Sequence, residues 1–238
     1  MRNLLAANRA IVCFDEDLSY RLLANHHDLE TYLDQHRSTT HVGFKIPRWT
    51  EQLDQNVLLD LQTDPDYPSK PVSQFYSSDP LIFMLRDVRG VVTSMMTYNT
   101  AGGLWIDVAG RPILAAKIRN QQFLERYRSE LAYIIRSNDP RIAAGALYWK
   151  YKTESLLRYQ RNNLPVLVVR YEELCEHPLT VMRRVIDFLE LDWEGAKSVE
   201  TPPYRESVGR FKTILTEAQI VDIREIAGEL STALGYVI

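Results

Sequence analysis

Arg86 and Ser94 stand eight positions apart on either side of an expected strand-to-helix turn, and together they could face one anion. A guanidinium brings charge and paired donors, a hydroxyl adds another, and the N–H groups at a helix start complete such a cradle. Lys45 and Arg170 also lie at the ends of short apolar runs, so three expected strands finish in positive charge. Open parallel sheets bind ligands beyond the carboxyl ends of their strands. Order and pattern alone therefore call for a basic mouth and an anionic ligand. Residues 14–17, F-D-E-D, place three carboxylates ahead of an amphipathic stretch. The helix dipole is enough to account for acids there.

The elements that must position these groups follow from periodicity. Residues 81–85 are five apolar side chains without a break, the pattern of a central strand buried on both faces. Asp87 can accept from the first N–H groups of a helix beginning near Val88, with Val91, Val92 and Met95 as its apolar side. Residues 164–169 form a second apolar, β-branched run and a second buried strand, and residues 41–46 alternate as a third before Pro47. Helical patterns run over residues 18–36, 49–61, 113–136, 141–161 and 216–234. Asn162-Asn163 stops the fourth, and Thr216 with Gln219 caps the last. Four X-Pro steps make residues 62–80 an extended loop. Residues 99–112 are too irregular for an element, and Trp105 beside two glycines reads as an acceptor-binding lid or a mobile insertion. The expectation is an α/β fold, a parallel sheet flanked by helices, in a single domain spanning residues 1–238.

Composition narrows the function. A net charge of −3 over 238 residues, with no run of like charges, argues against a nucleic-acid partner, so any phosphate site must be local. Two cysteines and five scattered histidines provide neither a disulfide framework nor metal spacing, and a cytoplasmic protein without a metal is expected. No apolar run has transmembrane length, and the opening residues are too charged for a secretory leader.

The stretch L-R-D-V-R-G-V-V-T-S, residues 85–94, resembles the 3′-phosphate-binding segment of sulfotransferases that use 3′-phosphoadenosine-5′-phosphosulfate. Residues 164–193 resemble the same family's strand, Y-E-D/E-L turn and following helix, and residues 209–219 resemble its bacterial C-terminus. The resemblance implies a P-loop NTPase-like fold, that nucleotide as sulfuryl donor, and Arg86 and Ser94 as ligands of its 3′-phosphate. It also implies Tyr171 near the adenine, and Arg210 beside Gly209 closing over the 3′-phosphate, with Arg205 and Lys212 as alternatives. The triplet K-I-P resembles the family's Lys/His-x-Pro segment, which makes Lys45 the group that stabilises the departing oxygen. Glu16, with Asp17 as its nearest rival, aligns with the general base that takes the acceptor's proton.

The pattern is not complete. Val88 stands where many members have proline, and Gly90 where many have an acid. The family begins with a strand and a 5′-phosphosulfate loop, and Met1 aligns just after it, so an N-terminally truncated chain is expected. The implied activity is sulfuryl transfer to a hydroxyl or amine of a carbohydrate, lipid or small molecule. The alternative is a degenerate, non-catalytic relative acting as a nucleotide-binding or interaction module. A nucleotide kinase fits less well, because the chain has no G-x-x-x-x-G-K-S/T stretch.

Overall fold

The computed structural model describes residues 5, 11–14, 19, 26–35, 41–43, 80–192 and 205–238. In chain order, its first elements are β1 (Ile11–Cys13), α1 (His26–Gln35), β2 (His41–Gly43), β3 (Leu81–Leu85) and α2 (Val88–Thr97). Next come β4 (Asn99–Thr100), β5 (Gly103–Leu104), a π-helical turn (Ile106–Gly110), α3 (Arg111–Lys117), α4 (Gln121–Arg126), α5 (Arg128–Arg136) and α6 (Pro140–Arg161). Last are β6 (Val166–Arg170), α7 (Tyr171–Glu176), α8 (Pro178–Phe188), a 3-10 turn (Arg205–Ser207), α9 (Phe211–Ile214) and α10 (Glu217–Ala233). The architecture is α/β, and the described residues fall into two compact units.

The first unit holds the described parts of Met1–Val57, Tyr67–Met84 and Tyr159–Arg205. Here β1 runs parallel to β2, with Ile11 opposite His41, and the pairing continues as the Phe14 N–H donates to the Gly43 carbonyl at 2.9 Å. β3 neighbours β6 across a long crossover, and the Leu81 N–H donates to the Pro165 carbonyl at 2.8 Å. Val181, Met182, Val185 and Ile186 recur at helical spacing on α8, so one face of that helix is apolar. That face joins Leu5, Ile11, Val169 and Leu174 in a single core, with Ile82 and Leu167 packed against it. The run 81–85 is not buried on both faces as its pattern predicts. Leu85 is buried, but Met84 is 38% exposed. Successive strand residues point to opposite faces, and at this end only one face is covered.

The second unit joins the described parts of Leu85–Arg158 and Glu206–Ile238. Asp87 caps α2 as expected: its Oδ1 accepts from the Arg89 N–H at 2.8 Å. Val88, Val92 and Met95 are buried. Gly145 of α6 lies close to α2, where an added Cβ would come within 3.5 Å of Val92 and Met95. The capping box at Thr216 and Gln219 starts α10.

From α10 the Asp222 carboxylate, fully buried, gathers the connection between α5 and α6. It accepts from the Tyr133 hydroxyl at 2.9 Å, from the Asn138 N–H and side-chain amide at 3.2 Å, and from the Asp139 N–H at 2.8 Å.

Two expectations are corrected here. Residues 113–136 are not one helix. Asn120 takes an extended conformation and its side chain accepts from the Phe123 N–H at 3.1 Å, which ends one helix and caps the next. Tyr127, with φ −108° and ψ 25°, then separates α4 from α5.

Residues 99–112 are not irregular. β4 and β5 pair antiparallel, and the π-helical turn follows. Trp105 meets Tyr148 edge to face at 5.2 Å and covers Gly110, where an added Cβ would stand 2.8 Å from the indole. Asp107 pairs with Arg141 at 2.6 Å. The segment reads as an anchored part of the second unit.

Candidate functional site

Arg86 follows directly on Leu85, the last residue of β3, and the chain turns there into α2. Its backbone carbonyl accepts from the Trp149 indole N–H at 3.0 Å. Its side chain folds back over the first turn of α2. A Cβ at position 90 would lie 3.0 Å from Arg86 Nε and 3.4 Å from Nη2, so the guanidinium rests against the bare Gly90 backbone. Ser94 stands four residues further on and is exposed. Residues four apart share a helix face, with Cβ positions about 5–6 Å apart. The structure therefore brings Arg86 and Ser94 to one face of one strand-helix corner. Glycine, where many members of the family have an acid, lets the guanidinium lie this close: any side chain at position 90 would crowd it and push it aside.

The C-terminal segment is fastened to the same corner. Arg86 Nη2 donates to the Ser207 carbonyl at 2.9 Å. Arg89 grips Asp87 with Nε and Nη2, the shortest contact being 2.6 Å, and its guanidinium lies 4.4 Å over the Phe211 ring. Arg210 sits between these two attachments. It is exposed, follows Gly209 at φ 75°, and directly precedes α9. Lys212 is exposed one residue beyond Phe211. An anion at the corner would thus meet a guanidinium, a helix-face hydroxyl and a neighbouring basic segment, and the bare backbone at Gly90 leaves the guanidinium room to lie there.

Tyr171 belongs to the first unit, where it is half-buried and opens α7 directly after Arg170, the last residue of β6. Two residues on, Glu173 forms a two-pronged pair with Arg184 at 2.8 and 2.9 Å. The hydrogen bonds from Arg184 hold the Glu173 carboxyl below its ordinary range. Glu16 and Lys45 lie outside the described residues, as does Asp17. Among the described residues, no cluster of His, Cys, Asp and Glu is arranged to hold a metal. No helix among them is long and apolar enough to cross a membrane.

The sequence reading did not identify the contribution of Trp149, Ser207, Arg89 or Phe211. Trp149 carries the one signal that was available, since a buried indole N–H needs an acceptor.

A family model described as sulfotransferase domain matches residues 16–201. The chain belongs to the sulfotransferase domain family. Among solved structures, the sulfotransferase domain from the curacin biosynthetic pathway is similar, with 13% identity and a TM-score of 0.47. The alignment covers 86% of this chain and 67% of that one. A comparison with curated proteins finds no match. The matched span begins at Glu16, contains Lys45, Arg86, Ser94 and Tyr171, and stops before Arg210. Family membership points to sulfuryl transfer.

Proposed function

We propose that the chain transfers the sulfuryl group of 3′-phosphoadenosine-5′-phosphosulfate to a hydroxyl or amine of a carbohydrate, lipid or small-molecule acceptor. One observation carries the choice of donor: the Arg86 guanidinium lies across Gly90, one helical turn before Ser94, in a chain whose family match covers both. In this reading Arg86 and Ser94 hold the 3′-phosphate, and Arg210 approaches it from the C-terminal segment. Tyr171 contacts the adenine. Glu16 takes the acceptor's proton, the acceptor atom bonds to sulfur, and the bond from sulfur to the 5′-phosphate oxygen breaks. Lys45 stabilises the charge that builds on that oxygen. In this reading residues 1–238 act as one domain, in the cytoplasm.

Calorimetric titration with adenosine 3′,5′-bisphosphate and with adenosine 5′-phosphate tests the donor site. The expected result is preference for the bisphosphate that Arg86→Ala abolishes. Equal affinity of the wild-type chain for the two nucleotides would overturn the reading. Release of adenosine 3′,5′-bisphosphate from the donor across a panel of acceptors then tests turnover, and Glu16→Gln should stop it with nucleotide binding intact.

A further inference from the structure

We infer that Trp149 is a positioning residue for Arg86, acting through the main chain; the inference rests on the donor reading above and extends it to the residue that aims the 3′-phosphate ligand. Trp149 lies on α6, is 4% exposed, and sends its indole N–H 3.0 Å to the Arg86 carbonyl. That carbonyl belongs to the peptide linking Arg86 to Asp87. Fixing its plane fixes ψ of Arg86 and φ of Asp87, the two torsions that turn the chain out of β3 and into α2. The plane is held from its other side as well, because Asp87 is the cap of α2 and its carboxylate is gripped by Arg89. With both holds in place, the Arg86 side chain leaves the backbone in the direction that lays its guanidinium on Gly90.

The consequence is specific to one hydrogen bond. A phenyl ring would keep an aromatic side chain at this place on α6, though a smaller one, while the Arg86 carbonyl would lose its indole donor and the peptide could rotate. The arginine would then sample directions that do not lead to Gly90 and Ser94. The loss falls on recognition of a 3′-phosphate, which needs two aimed groups, and spares the rest of a nucleotide.

Trp149→Phe in the full chain tests this, with Tyr151→Phe as a control that trims a buried aromatic two residues along the same helix. Both variants are first checked for wild-type circular dichroism. Titration then compares adenosine 3′,5′-bisphosphate with adenosine 5′-phosphate. Trp149→Phe should weaken the bisphosphate on the order of tenfold and leave the monophosphate unchanged, as the loss of one hydrogen bond predicts. Tyr151→Phe should change neither. In an Arg86→Ala background, Trp149→Phe should cause no further loss, because its effect runs through the arginine.

Unchanged selectivity in Trp149→Phe, beside a wild type whose preference depends on Arg86, overturns the positioning role and leaves the donor reading standing. A further tenfold loss in the Arg86→Ala background also overturns it. A wild type that binds both nucleotides equally overturns the donor reading itself, and the positioning role with it.

Discussion

The guanidinium of Arg89 lies 4.4 Å above the centre of the Phe211 ring while gripping the Asp87 carboxylate, so one side chain ties the start of α2 to the start of α9. Phe211 is itself only 8% exposed. Replacing it with leucine keeps an apolar side chain but removes the π-face. A loss of about 1–2 kcal/mol in unfolding free energy is expected. Hydrogen exchange should quicken first over residues 208–214, and uniform quickening across the second unit would point to a different anchor.

Gly90 and Ser94 can be separated experimentally. Gly90→Ala puts a Cβ 3.0 Å from Arg86 Nε, and the guanidinium must move away. Alanine also favours a helix by about 1 kcal/mol over glycine, so thermal stability should hold or rise while affinity for adenosine 3′,5′-bisphosphate falls. Ser94→Ala removes an exposed hydroxyl and should weaken the same nucleotide about fivefold to tenfold with no change in melting temperature. A bisphosphate affinity untouched by both changes would place the anion elsewhere.

Asp222 accepts four hydrogen bonds from Tyr133, Asn138 and Asp139 while fully buried. Asp222→Asn keeps the shape but replaces one acceptor oxygen with a donor that faces other donors. A loss of about 2–4 kcal/mol is expected from urea unfolding. Tyr133→Phe should cost less, about 1 kcal/mol, since it removes one of the four donors.

Glu130 supplies an acid-sensitive contribution to stability. Burial pushes its carboxyl up, but hydrogen bonds from Lys150 at 2.5 Å and Ser129 at 2.8 Å outweigh that and hold it below the ordinary value of 4.5. A carboxyl depressed in the folded state binds its proton more readily when unfolded. Its contribution is therefore complete above that ordinary value and is lost as pH falls through the folded value. Urea midpoints measured from pH 7 downward should drop more steeply for the wild type than for Glu130→Gln. Parallel curves would rule out this pair as a source of the pH dependence.

What the chain's pattern revealed was local. The cap at Asp87, the box at Thr216 and Gln219, and the helix stop at Asn163, which takes φ 55°, each depend on residues a few positions apart. The spacing of Arg86 and Ser94 was readable for the same reason, because a single strand-helix unit carries both. The contacts that aim and enclose Arg86 were not readable, since Trp149 lies 63 positions away and Ser207 lies 121. The break at Asn120 was missed because apolar periodicity continues on both sides of it, although asparagine is a good cap. β4 and β5 are two residues each, too short for alternation to show.

The reach of Asp222 has a consequence for how the chain acquires its structure during synthesis. Its carboxylate lies 83 residues after the Asp139 N–H that it accepts. At the usual pace of translation those residues take about 4–17 s to appear. Through that interval the backbone donors between α5 and α6 have been made but their buried acceptor has not. The second unit can close only after α10 has emerged, so its completion waits on every other element described in it.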